Sequence, residues 1–314
     1  MERLEGLDGL RGIAALMVLG FHLWTVFGIL PLLSHAYLAV DFFFMLSGYV
    51  MARTYEPKFS AGLSPVSFTS IRFKRLFAPM ALGAMLGLGL FMLMGTDPKV
   101  LAFTFIATLA FIPQPLGDPF ILNRPAWSIF FELTANLIHA ILLWRLPLKA
   151  VLLFALIFLV ALMAYAWPWG SILVGNKTGS FMGGFPRVLL AYAIGVALWR
   201  GPKSMGGRVE IAFVVLGIAL VALPRNLLVD IAFVVAVCPV ILLIGAKPAS
   251  RLAAWMGALS FPLYAVHYPI LQGAKAFNLS PWLAAVSSIA LAALYSFATN
   301  RDAKSHNLCA DPAR

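Results

Sequence analysis

Charge is scarce in this sequence, and so is cysteine. Of 314 residues only 11% are Asp, Glu, Lys or Arg, while 62% are hydrophobic and the mean hydropathy is +0.93. A soluble domain carries about 25% charged and about 45–50% apolar residues, and one water-facing core could not hide so much apolar surface. A soluble enzyme and a disordered chain are excluded. The two cysteines, Cys238 in an apolar run and Cys309 near the end, form no ligand spacing, so a disulfide scaffold is excluded too. A soluble domain, a low-complexity tract and an internal repeat are also missing. What is present in quantity is apolar sequence, enough for about ten helices of ~20 residues. The run that begins after Arg11 passes Ile29 without a small-residue cleavage pattern, which reads as a retained helix.

Apolar segments fall at 12–30, 36–52, 76–95, 100–112, 126–144, 149–167, 187–199, 209–223, 227–245, 252–272 and 281–298. The segment 100–112 is too short for the ~17–25 residues of a span and ends at Pro113 and Pro115, so it reads as re-entrant or interfacial. The net charge of +11 suits nucleic acid in a soluble protein, but here it reads as orientation. Ten crossings with both termini cytoplasmic put 17 of the 23 basic residues inside and six, Arg187 among them, outside. If 100–112 also crosses, the division falls to 12 and 11. The predicted fold is therefore an all-α polytopic membrane protein of about ten transmembrane helices plus one short segment. Residues 1–300 form one membrane-embedded domain, and 301–314 form a cytoplasmic tail without order.

Ionisable groups inside membrane segments are costly and are functional candidates by default. Arg11 and His22 stand eleven residues apart. At ~100° per residue they share one helix face, separated by about 16 Å along the axis. Arg11 then lies at the cytoplasmic surface and His22 near the bilayer midplane. Asp41 shares its helix with Ser47, and Glu132 precedes His139 by seven residues. His267 follows Ser260 and Tyr264. Arg72, Lys74 and Arg75 open the third helix at the level of Arg11. Arginine forks bind phosphate bidentately, so this basic ring suits a phosphate-rich cytosolic ligand; positive-inside bias alone accounts for Lys74. A histidine oriented by a carboxylate, Glu132 or Asp41, can deprotonate a hydroxyl. No metal site and no prosthetic group is read from the sequence.

The same residues carry a likeness. The chain resembles the acyltransferase 3 family of bacterial integral-membrane O-acyltransferases over nearly all of residues 6–300. The matching stretches are LDGLRGIAALMVLGFH (Arg11, His22), VDFFFMLSGYVM (Asp41, Ser47), RFKRLFAP (Arg72, Arg75), PAWSIFFE (Trp127, Ser128, Glu132) and LSFPLYAVHYPI (Tyr264, His267). The resemblance implies a bacterial inner-membrane enzyme that moves an acyl group, often acetyl, from cytoplasmic acyl-CoA to a hydroxyl of an extracytoplasmic carbohydrate or glycolipid. It implies Arg11, Arg72 and Arg75 at the coenzyme A end and His22, as base or acyl acceptor, at the chemistry. Ser47, Trp127, Ser128, Tyr264 and His267 are candidates for the substrate site. The last helix ends SFATNRDAKSHN, where the family pattern has Glu-Pro. With no hydrolase-like domain in this sequence, the acyl group is expected to pass directly or through a separate extracytoplasmic partner. Two other classes fit the buried groups less well: a proton-coupled transporter using His and carboxylates as a relay, and a haem protein using His22 with His139 or His267.

Overall fold

The computed structural model describes residues 4–115, 117–201, 207–222 and 224–309, with side chains as far as Thr299. Every regular element among them is helical. In chain order these are α1 (Glu5–Phe27), α2 (Ala39–Ser60), α3 (Pro65–Leu93), α4 (Pro98–Leu109), α5 (Ala126–Ile141), α6 (Leu148–Ala166), α7 (Gly184–Arg200), α8 (Val209–Ala222), α9 (Leu227–Ala232), α10 (Cys238–Gly245), α11 (Arg251–Ala276) and α12 (Pro281–Cys309). A π turn at Phe233–Val237 joins α9 to α10, and a 3-10 stretch, Pro31–Leu38, leads into α2. The tail expected from 301 onward lies partly outside the described residues: α12 is helical to Cys309, and 310–314 are not described.

Local chemistry sets the helix ends. Ser64 caps α3 by accepting from Ser67 N ahead of Pro65, and Asp97 caps α4 by accepting from Lys99 N and Val100 N. Each pattern satisfies amide groups that have no partner within the helix. α1 ends at Gly28, whose φ of 75° lets its N–H return to Trp24 O.

Eight helical stretches among the described residues are long and apolar enough to cross a membrane. They lie in α1, Pro31–Ser60, α3, Ala126–Arg145, Leu148–Trp169, Thr178–Arg200, Leu227–Gly245 and Pro281–Thr299. The predicted class, an all-helical polytopic membrane protein, is the one observed. Two further helices, α8 and α11, were counted as crossings in the sequence and do not stand among these eight. α11 has 26 residues, about 39 Å, but dilutes its apolar run with Ser260, His267, Gln272 and two prolines, and α8 has only 14, about 21 Å. α4 does not stand among the eight. The chain turns at Phe111, whose ring meets Phe73 of α3, and comes back to lay Leu122 against Gly87, fourteen residues further along α3. That is an excursion and return along one helix, in keeping with the re-entrant reading of 100–112.

α2 lies at the centre of the bundle, whereas α6 presents Leu152, Leu153, Leu156, Ile157 and Val160 outward. Without a hydrophobic drive between helices in lipid, close packing needs small residues at the contact. A Cβ at Gly48 would strike the backbone of Tyr192, and one at Gly195 the backbone of Met45. These glycines let α2 and α7 touch main chain to main chain. α1 and α11 run parallel and in step, with Gly12 against Met256 near one end and His22 against His267 further along.

Candidate active site

The parallel pairing of α1 and α11 leaves a cavity of about 510 Å³ between them and α2, α3, α5 and α12. Along α2 its wall extends from Met51 to Val40, about 16 Å. Asp8, Arg11, Lys74, Arg75 and Thr299 surround one end; Val40, Phe44, Ser128 and Tyr264 lie toward the other. The basic ring, the first turns of α1 and Thr299 of α12 therefore meet at the mouth. Arg11 pairs with Asp8 at 3.9 Å, while Lys74 and Arg75 are exposed.

Halfway along the wall Glu132 Oε1 accepts from Arg72 Nη2 at 2.8 Å and from Ser47 Oγ at 2.9 Å. Its Oε2 makes no hydrogen bond among the described residues, and the carboxylate is 17% exposed. Arg72 Nε is buried without a partner among the described residues. This ion pair is therefore unfinished on the cavity side, a suitable condition for a polar ligand. At the inner end Ser128 Oγ donates to Pro125 O at 3.0 Å, so the Tyr264 hydroxyl, 2.7 Å away, donates to Ser128 Oγ. Phe43, Phe44, Leu46 and Pro79 supply apolar wall nearby.

The cavity wall stops one ring short of the histidines. Tyr264 lines it, and its ring centroid lies 5.9 Å from that of His267. His267 Nε2 in turn lies 2.9 Å from His22 Nδ1. His267 is 1% exposed, whereas the His22 ring is partly exposed and rests edge-on against Tyr268. His22 sits about 9 Å beyond the middle of α1, in the helix's outer third.

Neither carboxylate expected to orient His22 touches it. Its ring partners are Val18 O, 3.1 Å from Nδ1, and His267. Glu132 faces Arg72 on the cavity wall. Asp41 faces away toward α7, where Arg187 Nε and Nη2 donate to its two oxygens at 2.8 and 2.6 Å. Both residues of that pair are fully buried, and Arg187 is completed by Tyr37 O and Val174 O. Shared depth in the sequence did not mean a shared face, since Asp41 and His22 lie on helices that present different neighbours. Trp127 stands over the Arg187 guanidinium at 5.4 Å and is not part of the cavity wall. His139, seven residues after Glu132, belongs to another cluster, with Glu56 at 3.1 Å and Tyr192 at 2.9 Å.

Sequence reasoning counted Arg187 only among six basic residues on the outer side and missed its pairing with Asp41. A signal was available: a carboxylate buried at Asp41 requires a cation, and Arg187 opens an apolar segment. No group of three or more potential metal ligands occurs among the described residues.

Comparison with known proteins bears on the family of this chain. Protein 2 in the picA locus of Rhizobium radiobacter is 36% identical over 184 residues, covering 52% of this chain and 95% of that protein. BcsY of Komagataeibacter xylinus, which carries the name of a membrane-bound transacylase, is 24% identical over 300 residues, covering 85% of this chain and 73% of its own length. No solved structure matches. A family model described as an acyltransferase domain matches residues 4–301, and the chain belongs to that acyltransferase 3 family.

Proposed function

We propose that the protein is a membrane O-acyltransferase. It takes an acyl group, acetyl in the simplest case, from acyl-CoA on the cytoplasmic side. It delivers the group to a hydroxyl of a carbohydrate or glycolipid on the other side of a bacterial inner membrane. The observation that carries this reading is the cavity itself, with arginines at its mouth, an apolar inner half, and a floor at Tyr264, from which the buried His267 leads on to the partly exposed His22. Arg11 and Arg75, with Arg72 deeper on the wall, suit the phosphates and polar arm of coenzyme A. The inner wall suits a short acyl chain. His22 is the general base or the transient acyl acceptor. In this reading α8 and α11 also cross, which gives ten crossings and cytoplasmic termini, and the positive-inside count favours that orientation. A separate extracytoplasmic transferase is the partner where the acyl group is handed on.

The test uses sealed inside-out vesicles prepared from membranes that hold the protein with its natural acceptors. Label from acetyl-CoA added outside moves into a hydroxyl-linked product with the wild type and not with His22→Ala. Full transfer by His22→Ala removes His22 from the chemistry. A transporter would move a solute across the same vesicles without consuming acetyl-CoA.

A further inference from the structure

Two main-chain carbonyls determine where the protons of the histidine pair sit. His267 Nδ1 lies 3.0 Å from Leu263 O. A carbonyl only accepts, so this nitrogen carries a hydrogen. His22 Nδ1 lies 3.1 Å from Val18 O, and by the same reasoning it too carries a hydrogen. His267 Nε2 approaches that N–H to 2.9 Å and must offer it a lone pair, since two hydrogens cannot occupy one short contact. In the neutral pair His22 Nε2 is then the nitrogen left with a lone pair. It makes no hydrogen bond among the described residues, and it belongs to the partly exposed ring of the two.

We infer that His267 is a positioning residue which, in place of a carboxylate, fixes the tautomer of His22 so that Nε2 serves as the base. This rests on the reading of His22 as the group at the chemistry. As the acceptor oxygen forms its bond to the thioester carbonyl carbon, the hydroxyl proton passes to His22 Nε2. The C–S bond breaks with its electron pair on sulfur, and the thiolate recovers that proton from Nε2. While His22 holds both protons, His267 Nε2 accepts from its Nδ1–H and shares the charge. The other polar groups about the His22 ring are Tyr268, packed edge-on, and Arg124, which stands over Tyr268 at 5.4 Å and is paired with Asp118. No carboxylate contacts His22 among the described residues. An acyl-accepting His22 needs the same Nε2 lone pair, so the role of His267 is common to both routes.

The test compares His267→Leu, which removes the acceptor, with His267→Gln, whose amide oxygen can reach the same place. With 15N-histidine protein in lipid, the His22 signals, identified by their loss in His22→Asn, report hydrogen on Nδ1 and a bare Nε2 in the wild type. The leucine variant mixes the two tautomers and the glutamine variant restores the single one. In acetyl transfer the leucine variant loses about 100-fold in kcat with its KM for acetyl-CoA unchanged, and glutamine recovers much of the loss. Hydrogen on Nε2 in the wild type, or a wild-type kcat in the leucine variant, overturns the inference. Full transfer by His22→Ala overturns instead the reading beneath it. The NMR result stands apart from activity and distinguishes the two failures.

Discussion

Asp41 and Glu132 look alike as letters, each an acid inside an apolar helix, yet they do opposite work in the fold. Asp41 is sealed with Arg187, both of its oxygens taken and the pair dry. Glu132 also holds an arginine, but on a cavity wall, with one oxygen and Arg72 Nε left without partners among the described residues. A completed buried pair ties elements together: here it joins α2 to α7 and to the Val174 segment. An incomplete pair next to open space can receive a ligand. Completeness and access, rather than burial alone, separate structural charge from functional charge.

The comparison is easiest to break at its sealed end. Arg187→Ala leaves Asp41 buried and unpaired, at a cost of about 3–5 kcal/mol, and detergent-solubilised protein should unfold far below the wild type. Replacing both partners by leucine should recover much of that loss, because an apolar pair of like volume is often neutral or better. Glu132→Gln is the matching change on the cavity. It keeps an acceptor for Ser47 and Arg72 but loses the charge, so stability should fall by about 1.5 kcal/mol while acyl transfer falls at least tenfold. Equal effects of the two changes on stability would erase the distinction. At the mouth, Arg75→Ala should leave the melting temperature in place and raise the KM for acyl-CoA about tenfold, equivalent to about 1.4 kcal/mol of binding. Added salt should weaken donor binding in the same direction. Ser47→Ala, which removes one donor from Glu132, should cost about 1 kcal/mol and change activity least.

Much of this was legible in the sequence, and the rest was not, for physical reasons. Composition and the lengths of the apolar runs gave the helical membrane class, and the short proline-ended segment at 100–112 gave the excursion of α4. The basic ring was legible because Arg11, Arg72 and Arg75 sit at predicted helix starts, and the structure gathers them at one cavity. The partners of the buried acids were not legible. Pairing Asp41 with Arg187 needs the glycine contact between α2 and α7, which brings together residues 146 apart in the chain. The contact of His22 with His267 depends on α1 and α11 lying parallel and in step, and no local pattern encodes it. Depth along a helix is a one-dimensional reading; the direction a side chain faces depends on its neighbours.

Donor placement is the claim that supports everything else, and photolabelling tests it most directly. Purified protein in lipid is exposed to an acyl-CoA with a photoreactive group at the end of its acyl chain, with and without excess coenzyme A. The account predicts that the label lands on the α2 and α5 segments around Phe44 and Ser128, and that unlabelled coenzyme A abolishes it. Label on the outward faces of α6 or α12, or label that coenzyme A does not displace, would contradict it.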